Sequence, residues 1–157
     1  MPRCTSLSLF GFARTRTNSG LARFALKEDY AGVAKARRGD AGVLGQADRP
    51  LAALYMAGYA VECSLKALME IQKQAIPRSS RSGGHDLRTL WQSSGLRTRD
   101  LGEQGARFVA FWTTSLRYQT ATPSDHADLM KGADVACTFL SRLQKSAAGK
   151  ANRRNRR

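Results

Sequence analysis

The chain has 157 residues, 42% of them hydrophobic and 24% charged, with a formal net charge of +14. That length fits one globular domain with a real core and excludes two. Nine of the 26 basic groups sit at the ends (Arg3, Arg14, Arg16 and Arg23; Lys150, Arg153, Arg154, Arg156 and Arg157), where there is none of the 12 acids, so the middle is only mildly basic. Such ends attract polyanions without sequence preference or are simply solvated.

Cys4, Cys63 and Cys137 are odd in number and lack CxxC spacing, which argues against a disulfide framework or a zinc site and fits a reducing cytoplasm. No metal and no cofactor is expected. The longest apolar run, Leu51 to Val61, is far short of the roughly 20 residues that span a bilayer.

Residues 1–20 are rich in Ser, Thr and Arg without helical periodicity and read as a disordered basic extension. A first helix is expected from Leu21 to Arg38, with Lys35, Arg37 and Arg38 placed to favour the negative end of its dipole. The glycines of GDAGVLGQ, residues 39–46, then break the pattern. Asp48 reads as the N-cap of the next helix, with Pro50 tolerated in its first turn.

That helix, Leu51 to Ile71, carries two apolar stripes: Leu54, Gly58, Val61, Leu65 and Leu68, and beside it Met56, Ala60, Cys63, Ala67 and Ile71. A helix apolar on two faces needs neighbours on two sides, so it is expected at the centre of a bundle. Its remaining face holds Tyr55, Tyr59, Glu62 and Lys66, with Glu62 and Lys66 one turn apart in the order that favours an intrahelical pair.

A polar connector, AIPRSSRSGGH, follows, and Asp86 caps a short helix with Leu87, Leu90 and Trp91 that stops near Gly95. A longer helix is expected from Leu101 to Tyr118 on Phe108, Val109, Trp112 and Leu116; its aromatics read as core or dimer-interface packing. Thr122-Pro123-Ser124-Asp125 starts the last helix, whose stripe of Leu129, Ala133, Ala136, Leu140 and Leu143 fades at Lys145. No segment alternates with period two. The fold class is therefore all-α: an up-and-down bundle of four long helices and one short one over residues 21–146, with a disordered basic tail at 147–157.

Three segments in order, AGYAVECSLKAL (57–68), GHDL (84–87) and SLRY (115–118) before a final helix, resemble the HEPN domain family. The resemblance implies a nucleotide-binding helical bundle, a homodimer, and a nucleotidyltransferase-like partner in a toxin–antitoxin pair. It also implies metal-independent ribonuclease chemistry, in which an Arg is followed after four to six residues by a His. Here eight residues separate Arg117 from His126, while Arg78 and His85 meet the spacing inside the connector, where the match is coincidental.

Three readings follow. The first is a module binding nucleotide or RNA phosphate through Arg117 and Tyr118, because a guanidinium grips phosphate bidentately. A second cluster, Tyr59, Glu62, Lys66, His85 and Asp86, is expected to form a pocket or dimer seam; structurally, Asp86 is a cap and His85 reaches the central helix. The second reading is a ribonuclease in which His126 activates the 2′-hydroxyl and Arg117 stabilises the phosphate. The third is a non-catalytic adaptor, with Arg117 and Tyr118 merely closing a helix and His126 exposed in the next.

Overall fold

The computed structural model describes residues 28–77 and 84–154; the expected extension at 1–20 and Arg78 lie outside them. Among the described residues the protein is all-α: α1 Tyr30–Gln46, α2 Pro50–Ile71, α3 Leu87–Ser93, α4 Gly102–Phe111 and α5 His126–Arg154, with 3-10 turns at Thr98–Leu101 and Thr114–Tyr118. Three helices are long, of 17, 22 and 29 residues.

α2 is the centre. It packs against α1, α3, α5 and the second 3-10 turn, and Leu54, Val61, Leu65 and Leu68 of its first stripe have no exposed surface. It has the length and apolarity of a membrane span, but 72% of its most apolar stretch is buried within the protein. Cys63 and Cys137 are buried free thiols in helices, pushed up to about 11 by burial, and behave as small hydrophobes.

Five boundaries differ from the sequence expectation. α1 starts at Tyr30 rather than Leu21: Glu28 and Asp29 are not helical, and the Asp29 carboxylate accepts from the Gly32 amide as the N-cap. α1 does not break at 39–46 but runs to Gln46. Ala41 is buried against the core, and α1 packs along α2; this tertiary contact overrides the weak helix propensity of the glycines, which face open space. Asp48 does not cap α2. It occupies a left-handed turn (φ 54°), and Arg49 takes the N-cap position without a side-chain cap.

The expected helix over 101–118 is broken after Phe111. Trp112 and Thr113 are extended, and the Thr113 hydroxyl accepts from the Ser115 N–H to start the 3-10 turn. The four-long-helix expectation fails at this point. Finally, α5 begins at His126, three residues after Pro123, and continues past Lys145 to Arg154, so residues 147–154 are helical. Ala147, Ala148 and Ala151 sustain the helix where the apolar stripe has ended. The α3 expectations hold: the Asp86 carboxylate accepts from the Arg88 and Thr89 amides, and Gly95 follows at φ 74°.

The α1 glycines yield a first prediction. A Cβ at Gly39 or Gly42 meets nothing within 4 Å. Gly39→Ala and Gly42→Ala should each stabilise the protein by about 0.5–1 kcal/mol, read as a rise in the urea midpoint; a fall would mean that α1 is not helical through residue 46.

Candidate functional site

The polar face of α2 joins two recesses. The first lies between α1 and α2, a groove of about 1130 Å³ lined by Tyr30, Val33 and Arg37 of α1, by Tyr59, Glu62 and Lys66 of α2, and by His85. Glu62 is buried, at 1% exposure, although it is charged. Lys66 Nζ donates to its carboxylate at 2.8 Å, the one-turn pair expected from the sequence, and His85 Nδ1 lies 2.9 and 3.0 Å from its two oxygens. Lys66 Nζ also lies 5.5 Å from the centre of the Tyr30 ring.

A carboxylate has only lone pairs to offer, so Nδ1 of His85 carries a proton. In the neutral ring Nε2 is then the proton acceptor. The buried carboxylate thus fixes the tautomer and the orientation of a half-exposed imidazole. Asp86, by contrast, is occupied with its cap.

The second recess, of about 560 Å³, lies where the 3-10 turn meets the start of α2; Arg49, Pro50, Tyr55, Arg117, Thr120 and Asp48 line it. Leu116 is buried and anchors the turn, which leaves Arg117 and Tyr118 exposed. The Arg117 guanidinium sits 4.8 Å from the centre of the Tyr118 ring, and Tyr118 and then Tyr55 raise its pKa further, so it is a permanent cation. The first bond of α2 runs from the Ala53 N–H to the Arg49 carbonyl. Pro50 has no N–H, and Leu51 and Ala52, whose first-turn amides have no helical acceptor, line the recess at the positive end of the helix.

All 12 carboxylate side chains of the sequence fall among the described residues, and none forms an ion pair with Arg49 or Arg117. Asp48 is the one carboxylate on the recess wall. The recess is therefore net positive and open to an anion.

Aromatic rings connect the two recesses. The Tyr55 and Tyr59 hydroxyls are 3.2 Å apart, Tyr59 stands edge-on to His85 at 6.0 Å and to Trp112 at 5.5 Å, and Trp112 Nε1 donates to the Tyr55 carbonyl at 3.2 Å. Burial, then the Tyr55 hydrogen bond, pushes Tyr59 up to about 12, so it stays a neutral hydroxyl.

The structure thus brings Tyr59, Glu62, Lys66 and His85 together, and places Arg117 beside Tyr55 at the other end of the same face. His126 is elsewhere: its Nδ1 lies 3.2 Å from the Pro123 carbonyl, and it does not line the Arg117 recess. Arg49 and Trp112 were missed as site residues; an arginine preceding a helix-starting proline was the one local signal for Arg49. Among the described residues no group of three or more His, Cys, Asp or Glu side chains is placed to hold a metal ion. Compared with known proteins, the chain matches no family model, no characterised relative and no solved structure.

Proposed function

We propose that the protein is a HEPN-type helical module that binds the phosphate of a nucleotide or RNA in the recess between Arg117 and the start of α2. One observation carries this reading: Arg117 and Arg49, neither ion-paired to a carboxylate, flank uncapped helix amides at the mouth of a cavity. A phosphate there would accept charge-assisted bonds from a guanidinium and meet the favourable end of the α2 dipole. A homodimer, and a nucleotidyltransferase-like partner in a toxin–antitoxin pair, belong to the same reading.

Calorimetric titration with ATP and with a short single-stranded RNA tests it. Arg117→Ala should weaken binding by about 10- to 100-fold, and His126→Gln should leave it unchanged. Equal affinities for Arg117→Ala and wild type would remove the recess from consideration. Incubation with RNA in EDTA separates binding from cleavage: intact RNA retires the Arg117–His126 ribonuclease, whereas cleavage abolished by His126→Gln would replace the binding reading with the catalytic one.

A further inference from the structure

The last turns of α5 form a second basic surface, away from the Arg117 recess. Asp134 is the last acid in the chain. Beyond it Arg142, Lys145, Lys150, Arg153 and Arg154 are all exposed on one continuous helix. At 100° per residue they fall within one half of the helix circumference, and at a 1.5 Å rise they span about 18 Å. Lys73, at the end of α2, joins Lys150 and Arg154 in lining a trough of about 650 Å³ between the two helices.

This ridge is held in place. Leu140 is buried in the core, and Gln144 Nε2 donates to the Ser64 carbonyl of α2 at 2.7 Å. It is not neutralised by an acidic side chain either: the six ion pairs among the described residues use other cations on their Lys and Arg sides, and all 12 Asp and Glu fall among those residues. The dipole at the end of α5 accounts for Arg153 and Arg154, but its influence ends within the last turn and does not reach Arg142 or Lys145. Like charges at one-turn spacing, as in Lys150 and Arg154, disfavour the helix unless an anion meets them.

We propose that this end of α5, with Lys73, is a docking surface for the phosphate backbone of duplex nucleic acid. A duplex presents about one negative charge per 1.7 Å of axis, so a ridge of this length faces enough phosphates to engage every cation on it. A lipid surface fits less well. Helices that lie in membranes bury large apolar side chains opposite their cations, whereas from Leu143 to Arg154 only Leu143 is large and apolar; the trough's other apolar lining is Ala147, Ala151 and, from α2, Ile71.

Fluorescence anisotropy with the full chain and a labelled RNA or DNA duplex of about 20 base pairs, over roughly 50–300 mM salt, tests the surface. The variant K145Q/K150Q/R153Q/R154Q should bind on the order of 100-fold more weakly near 100 mM salt. Its log–log salt slope should be shallower by about 3 to 4, since each lost phosphate contact removes about 0.9. Arg99→Gln, an exposed cation in the first 3-10 turn and outside this surface, should leave that slope unchanged. The charge-conserving K145R/K150R variant should bind like wild type, and matching thermal melts would exclude misfolding. An unchanged slope in the quadruple variant would assign binding to the other arginines, and wild-type chain that ignores duplexes but binds phosphatidylserine vesicles would make the partner a membrane. Either result overturns the proposal.

Discussion

Replacing Glu62 with alanine is expected to cost about 3–5 kcal/mol, a large fraction of the 5–15 kcal/mol that stabilises a domain of this size. The carboxylate is 1% exposed, and both its oxygens are engaged, by Lys66 and by His85. Removing it strands the Lys66 ammonium, whose side chain is 10% exposed, without a carboxylate partner. An uncompensated buried cation, rather than the loss of attraction itself, makes such a deletion expensive. Glu62→Gln keeps the shape and one acceptor and should cost less, about 1–3 kcal/mol. Glu62→Met combined with Lys66→Met should recover most of the loss, because no buried charge remains. Urea unfolding of the four proteins measures this; a Glu62→Ala midpoint indistinguishable from wild type would mean that water already reaches the pair.

Gly58→Ala is expected to destabilise by about 2–4 kcal/mol, the opposite sign from Gly42→Ala on α1. A Cβ at residue 58 would lie 1.8 to 2.1 Å from three atoms of the Trp112 indole. The ring has little room to withdraw. Tyr55 stacks on it at 6.3 Å, Tyr59 meets it edge-on, and its Nε1 is bonded to the Tyr55 carbonyl. The methyl must therefore displace Trp112, break that hydrogen bond and loosen the junction that holds Arg117 beside α2. Calorimetric melting with tryptophan emission follows both effects. In a Trp112→Leu background the added methyl should become neutral or stabilising, as expected when two sites act through one contact. If the cost persists in that background, the clash with Trp112 is not its source.

The parts of this fold that were legible in the sequence are those governed by local chemistry. Leu54, Val61, Leu65 and Leu68 announced α2 through their spacing, and Asp86 and Gly95 bracketed α3 through capping. The misplaced boundaries arose where local and tertiary signals disagree. Gly39, Gly42 and Gly45 look like breaks because propensity is read without the α2 surface that α1 lies against. Phe108, Trp112 and Leu116 keep an i, i+4, i+8 rhythm although the backbone opens at Trp112, since the 3-10 turn still delivers Leu116 to the core. At the site, the Glu62–Lys66 pair follows from spacing alone. The approach of Arg117 to Arg49 depends on that opened backbone, and nothing local to either residue encodes it.

The packing of α1 has a further consequence, for the timing of access to the groove. This helix holds four glycines in 17 residues, buries only Ala34 and Ala41, and leaves Val33 and Val43 exposed. Native-state amide exchange should therefore show α1 opening as a unit at a free energy well below that of α2. Tyr30, Val33 and Arg37 are its contribution to the groove wall. Such an opening would bring the buried Glu62 and Lys66 to solvent, so its frequency, read from the exchange of the α1 amides, would set how often that pair is exposed.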